Sequence, residues 1–377
     1  MEFKEYNEGE LEVSAEESEN RYETSAHDSD ERFSSIAIIA AILVLAIITS
    51  VFFGLFTRES IPVLNTGSST TTTTTTTTQG KPNTPDNPDS KYPFATVTDK
   101  TQFVATMGGN DLSDIYLYSE YAILVKLSDM TTVAHQEADT VIYPASMTKV
   151  MTVIVALDMI ENLDDGYLVT QEILSRVPEG AKKASLSLFV GKTVTVRDLL
   201  YGVAYISGAD SVLCLVDYFN LTVEQFAALM NEKAAEIGLQ NTTFGGAIGM
   251  DAEENQTTCR DMAAIMAYAM ENPLCREIFG EETYKFDFYD FTYKNSTFNG
   301  VVWEKFGKDS TTIVPGYTLV ATKSGLEDKA GYCLVSLLKN NTTGEEFILV
   351  TANSAYKKPY NQAPIFDMIE LFGKLEP

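Results

Sequence analysis

Tyr143-Pro144-Ala145-Ser146-Met147-Thr148-Lys149-Val150-Met151-Thr152 is the stretch around which this chain is read. A hydroxyl and an amine three residues apart share one face of a helix. The residues that follow, Val150, Met151, Val153, Ile154, Val155, Ala156 and Leu157, leave no polar face, so the spacing predicts a helix buried in a core. In the first turn of such a helix Ser146 is a candidate nucleophile and Lys149 a candidate base, provided burial or a second cation lowers the amine pKa.

Ser-x-x-Lys is by itself a weak pattern, and the chain contains it twice more, at Ser336-Leu337-Leu338-Lys339 and Ser354-Ala355-Tyr356-Lys357. Ser336 lies in an alternating, strand-like run, where residues i and i+3 point to opposite faces, so that pair cannot cooperate. Ser354 follows another strand-like run in a polar stretch ending at Pro359. The rest of the chain decides for Ser146.

The net charge of −26 excludes nucleic acid as a natural partner. Cys214, Cys259, Cys275 and Cys333 are too few and too scattered for a disulfide framework and read as small buried hydrophobes. The chain has only 2 His, His27 and His135. A Ser-His-Asp triad would have to use His135, and a His-rich zinc site cannot be built. An enzyme made from this chain needs a base other than histidine.

Residues 1–33 hold 12 acidic and 3 basic residues and read as a disordered acidic tail. Residues 34–57 enclose an uncharged apolar run from Ser35 to Phe56. As a helix that run is about 33 Å long, enough to cross a bilayer once. No small-residue cleavage site follows it, so the span is expected to remain uncleaved; Arg32 and Arg58 flank it equally and leave its orientation open. Residues 58–93 read as a linker, with consecutive threonines from Thr70 to Thr78 followed by Pro82, Pro85, Pro88 and Pro93.

From Phe94 to Pro377 the character is that of a globular domain. Tyr121–Leu127 and Thr131–His135 read as a hairpin. Residues 158–275 are mainly helical, with Thr195, Thr222 and Thr258 opening successive helices. Strands return at Tyr317–Lys323, Gly331–Leu338 and Phe347–Thr351, and Ala363–Leu375 reads as a closing helix. Strands from both ends of the domain around a helical block predict one antiparallel sheet with helices inserted.

Two further segments stand beside Ser146: Tyr205-Ile206-Ser207-Gly208-Ala209-Asp210-Ser211, between helical runs, and Ala321-Thr322-Lys323-Ser324-Gly325-Leu326, at the end of a strand. The order Ser-x-x-Lys, Ser-x-Asn, Lys-Thr/Ser-Gly is that of penicillin-recognising serine enzymes. The chain resembles in particular the D-alanyl-D-alanine carboxypeptidases, the low-molecular-mass penicillin-binding proteins. The similarity extends through Gly191–Gly202, Met230–Phe244, Thr257–Ala263 and Ala330–Val335, and covers roughly residues 115–352.

The resemblance implies an α/β fold of the α+β type, β-lactamase/transpeptidase-like, with a five-stranded antiparallel sheet flanked by helices and an inserted helical subdomain. It implies that Ser146 attacks the terminal D-Ala-D-Ala peptide bond and that Lys149 is the base, kept neutral partly by Lys323. Ser207 would relay a proton to the leaving D-alanine. Lys323 and Ser324 would hold the substrate carboxylate, Gly325 would leave space along the strand edge, and the N–H groups of Ser146 and Leu326 would form the oxyanion hole. The implied partners are a peptidoglycan stem peptide and β-lactam antibiotics as acylating inhibitors, with no metal and no organic cofactor. The domain would then face outward from the cell membrane, with the acidic tail cytoplasmic.

Ala209 stands where the family usually has Asn. This keeps a second expectation open, a protein that binds peptidoglycan or penicillin with little turnover. A β-lactamase is the remaining alternative, but no Glu-x-x-Leu-Asn segment follows Ser207 to supply its deacylating carboxylate.

Overall fold

The computed structural model describes residues 91–184, 186–250, 253–281, 283–286, 292–294, 314–354 and 363–374. The expected tail, membrane span and linker, up to residue 90, lie outside the described residues. The domain's own contacts begin slightly before Phe94, because the Asn272 side-chain amide donates to the carbonyl oxygens of Tyr92 (3.0 Å) and Pro93 (3.3 Å).

Strands β1 (Asn110–Asp111), β2 (Ser119–Lys126), β3 (Thr131–Gln136), β4 (Tyr317–Glu327), β5 (Gly331–Asn340) and β6 (Glu346–Ser354) form one sheet in the order β1-β3-β2-β6-β5-β4. The five antiparallel strands expected from the sequence are all present. They are joined by a sixth, the two-residue β1, which runs parallel to β3. Two residues carry no periodicity, which is why β1 is invisible in the sequence. Pairing of β2 with β6 brings the two ends of the domain together, with Leu124 opposite Leu349.

Both faces of the sheet are covered. Side chains alternate along a strand, so Ile123 and Val125 of β2 face one core while Ala122 and Leu124 face another. The larger core is filled by helices α1 (Lys149–Met159), α2 (Val196–Tyr205), α3 (Ala209–Tyr218), α4 (Val223–Ile237), α5 (Cys259–Met270) and α6 (Pro273–Gly280). The smaller core is closed by α7 (Ala363–Gly373) through Ile365, Met368, Leu371 and Phe372. Asp367 fixes α7 to the sheet, because its buried carboxylate accepts the Tyr118 and Ser119 N–H groups at 2.7 and 3.0 Å.

The helices begin where the threonines predict. The Thr195 and Thr222 hydroxyls accept the N–H groups of Asp198 and Gln225, and each of those side chains returns a bond to the cap backbone, closing two capping boxes. Thr258 caps α5 through Asp261 N–H. The first turn of α5 also carries Arg260, which pairs with both Asp139 oxygens at 2.6 and 3.0 Å and donates to the Thr106 carbonyl at 2.7 Å. This buried guanidinium ties the helical block to the start of the domain and is satisfied by its partners. The four cysteines are free and buried.

Helix α1 runs through the centre of the larger core, and every residue but Asp158 is buried. Each Val, Ile or Leu so placed contributes about 1.5–3 kcal/mol relative to exposure. A helix held this tightly is a rigid mount for whatever stands at its N-terminal end.

Candidate active site

Ser146 stands on a 3-10 turn, Ala145–Thr148, that leads into α1, and Lys149 is the first residue of α1 itself. The expectation of one continuous α-helix is corrected here. In a 3-10 turn residues i and i+3 eclipse, which favours the approach of the two side chains. Lys149 Nζ lies 2.9 Å from Ser146 Oγ and donates to the Ile248 carbonyl at 2.6 Å. The turn opens on Ala145 with φ +47°, a left-handed conformation that a side chain tolerates poorly. It is held on one side by Gly249, where a Cβ would stand 2.1 Å from the Ala145 carbonyl oxygen.

On the other side the turn packs against the edge strand β4. A Cβ on Gly325 would stand 2.9 Å from both Ala145 Cβ and the Pro144 carbonyl oxygen, and 3.1 Å from Ser146 N. Gly325 therefore serves the contact between strand and turn, rather than only leaving room for a ligand as the sequence suggested. That contact brings Leu326, next along β4, beside the Ser146 turn, and both residues line the cavity described below. Gly325→Ala is expected to force strand and turn apart and to cost about 1–3 kcal/mol of stability, read as a lowered Tm in thermal unfolding.

Ser207 sits in the junction between α2 and α3, buried, with φ +61°. Just past a helix end this left-handed conformation is usually given to glycine, so a serine there is held by its surroundings at a cost of about 1–2 kcal/mol. Lys323, fully buried on β4, donates to Ser207 Oγ at 3.1 Å and to the Ser324 carbonyl at 2.8 Å. Lys323 does not itself line the cavity, and its amine points at Ser207, which does. Ser324, Gly325 and Leu326 do reach the cavity.

The cavity has a volume of about 750 Å³, and Ser146, Lys149, Ser207 and Ala209 share it. Its walls also carry Lys182 and Glu327, which the sequence reading did not single out. Both act on the buried amines. Burial brings the Lys149 pKa down from the ordinary lysine value to about 7, against the opposing pull of the Glu327 carboxylate and with help from the Lys182 charge. Lys182 thus adds to the repulsion that Lys149 and Lys323 exert on each other, which favours neutral amines at both. Lys323 is itself held well below the usual lysine range, first by burial and then by the charges of Lys149 and Lys182. The arrangement places a hydroxyl beside an amine that gives up its proton near neutral pH. A second hydroxyl is held by a second depressed amine, and both hydroxyls open onto one cavity. This is equipment for attack on a carbonyl and for proton delivery to a leaving group.

Residues 110–355 match the model of the D-alanyl-D-alanine carboxypeptidase family, well over half of the chain. The chain belongs to the D-alanyl-D-alanine carboxypeptidase family. One relative is the D-alanyl-D-alanine carboxypeptidase of Streptomyces sp. strain K15, 31% identical over 218 residues that cover 54% of this chain and 71% of that protein. Another is the carboxypeptidase DacF of Bacillus subtilis, 26% identical over 239 residues, covering 62% of this chain and 58% of DacF. The chain thus spans a little over half the length of that relative. The solved Streptomyces K15 DD-transpeptidase superposes with a TM-score of 0.57 at 27% identity, covering 68% of this chain and 95% of the other. The family's penicillin-binding fold is thereby shown for this chain.

The family's motif positions account for Ser146, Lys149, Ser207 and Lys323. They do not account for the Ile248 carbonyl, the Lys182 amine or the Glu327 carboxylate. Of these only the first left a trace in the sequence, as Gly249 between two large apolar residues.

Proposed function

We propose that this chain is a membrane-anchored serine-type D,D-peptidase that trims the terminal D-alanine from peptidoglycan stem peptides through an acyl-Ser146 intermediate. The observation that carries the reading is the 2.9 Å contact between Ser146 Oγ and a Lys149 amine whose pKa burial lowers to about 7. Ser146 Oγ attacks the carbonyl carbon of the penultimate D-alanine, and its proton passes to neutral Lys149. The negative charge that forms on the carbonyl oxygen is met by the N–H groups of Ser146 and Leu326. The C–N bond then breaks as the proton that Lys149 took from Ser146 is relayed through Ser207 to the departing D-alanine nitrogen, which leaves Lys149 neutral again, while Lys323 holds Ser207 by a hydrogen bond. Water attacks the ester, Lys149 takes its proton, and Ser146 is released. An amine in place of water would give transpeptidation. β-Lactams would acylate Ser146 by the same first step.

Placement at the cell membrane follows from two supports: the composition of residues 34–57 and the extracellular location of peptidoglycan. In this reading the tail is cytoplasmic and the domain external.

The test is D-alanine release from a pentapeptide ending in D-Ala-D-Ala. Stoichiometric appearance of D-alanine and tetrapeptide is expected; a folded protein that releases none contradicts the reading. A second reading, a penicillin- and wall-binding protein with little turnover, is favoured by Ala209, which puts only a methyl group on the cavity wall. It predicts acylation without catalytic D-alanine release, so the same assay separates the two.

Because the base must be neutral, the acylation rate is expected to rise with pH through about 7 and then level off. Glu327 favours the charged amine, so Glu327→Gln lowers the Lys149 pKa and moves the acidic limb to lower pH. Acylation rates with a fluorescent penicillin across the pH range check both points. An unmoved limb in Glu327→Gln would assign it to another group.

A further inference from the structure

Thr152 is a polar residue in an otherwise apolar part of α1, and it is fully buried. A threonine that only satisfied itself inside a helix would bond the carbonyl four residues back. Here that contact, to the Thr148 carbonyl, is long at 3.4 Å. The short bond leaves the helix, because the Thr152 hydroxyl donates to the Ala247 carbonyl at 2.7 Å, 95 positions away in the chain.

Ser146, Lys149 and Thr152 follow one another at intervals of three, so they lie along one face of the turn and helix. Opposite that face runs Ala247-Ile248-Gly249, and each of its residues meets it. Ala247 accepts the Thr152 hydroxyl, the Ile248 carbonyl accepts Lys149 Nζ at 2.6 Å, and Gly249 packs against the Ala145 carbonyl and the Thr148 side chain, where a Cβ has no room. Buried Asn255 donates its side-chain amide to Thr148 Oγ1 at 3.1 Å and fixes that side chain in turn. The Ile248 carbonyl thus sits between two fixed points, the Thr152 tie before it and the Gly249 contact after it.

A neutral amine has one lone pair and two N–H bonds. To take the Ser146 proton, Lys149 must aim its lone pair at Oγ, 2.9 Å away, and its N–H bonds elsewhere. The amine can rotate about its Cε–Nζ bond, and the Ile248 carbonyl, by receiving one N–H, fixes the direction in which the lone pair points. Once the proton has moved from Oγ to Nζ, the same carbonyl accepts from the ammonium.

We propose that Thr152 is a positioning residue for proton transfer from Ser146 to Lys149. By holding the Ala247 carbonyl it sets the neighbouring Ile248 carbonyl where it orients the Lys149 amine. Thr152 does not line the cavity and acts only through this segment. The proposal rests on the peptidase reading above.

The test follows penicillin acylation of the full chain, solubilised in detergent, as adduct mass against time at several penicillin concentrations. It is run well above pH 7, where Lys149 is neutral, and separates the limiting acylation rate from the half-saturating concentration. Thr152→Val keeps the shape and removes the donor; Thr152→Ala and Thr152→Ser differ from each other by the hydroxyl alone. In Thr152→Val and Thr152→Ala the limiting rate is expected to fall roughly tenfold to a hundredfold, the scale on which a misplaced reacting group acts, with the half-saturating concentration unchanged. Thr152→Ser is expected to return the rate to near the wild-type value. Unfolded chain lowers the final adduct yield rather than the rate, so lost stability alone does not imitate this result, and the Ala–Ser pair decides where Thr152→Val does not fold. An unchanged limiting rate in Thr152→Ala overturns the proposal and leaves the peptidase reading intact. So does an equal loss in Thr152→Ser and Thr152→Ala, or a loss carried by the half-saturating concentration. Failure of the wild-type protein to form an adduct removes the peptidase reading, and the proposal with it.

Discussion

Ser146→Ala is expected to bring D-alanine release and penicillin acylation to background, a loss of roughly 10⁴-fold or more, the scale on which removing a covalent nucleophile acts. The fold should survive. Ser146 is only partly buried, and the turn keeps the Met147 N–H to Pro144 carbonyl bond at 3.0 Å. Lys149 keeps its bond to the Ile248 carbonyl. The Tm is therefore expected to stay close to that of the wild-type protein, and D-alanine release, measured beside it, separates chemistry from stability. Residual release above background in Ser146→Ala would mean that another group carries the reaction. Ser336 is not a candidate, since it is fully buried and its Oγ lies 3.2 Å from the Thr322 hydroxyl on the neighbouring strand.

The second large effect is expected at Lys149. Lys149→Met removes the base, with an expected loss of about 10²–10⁴-fold in acylation rate. Its effect on stability is the sum of two opposed terms: a buried amine is removed, which is favourable, and the Ile248 carbonyl loses its donor, at about 1–3 kcal/mol. Lys149→Arg separates charge from basicity. A guanidinium keeps the positive charge but does not give up its proton in a protein, so this variant is expected to be as inactive as Lys149→Met. Acylation rates of the two variants, measured where wild-type Lys149 is neutral, check the argument. An active Lys149→Arg would show that charge at this position suffices and that the base is elsewhere.

Much of this site was legible in the sequence because its parts are local. The apolar run after Lys149 announces a buried helix, and Thr195, Thr222 and Thr258 announce helix starts that the capping bonds bear out. The alternation in β2, β5 and β6 announces the sheet. What could not be read depends on residues distant in the chain. The Ile248 carbonyl reaches Lys149 across 99 positions, and Lys323 reaches Ser207 across 116. No periodicity encodes such contacts. The same holds for Lys182, which reaches the cavity because Asp210 and Ala209 hold its segment against α3. Gly325 was noticed for its place at the cavity, but its close approach to the Ser146 turn could not be read, because that turn lies about 180 positions away in the chain. The 3-10 turn itself was missed because its backbone conformation is imposed from outside, by β4 on one side and Gly249 on the other.

The most direct test of the account is to incubate the full chain with penicillin and locate any covalent adduct by mass spectrometry of its peptides. The account predicts one adduct per chain, on the peptide containing Ser146, forming with a rate that rises with pH through about 7. A folded protein that takes up no penicillin, or one whose adduct lies on a peptide other than that of Ser146, would contradict it.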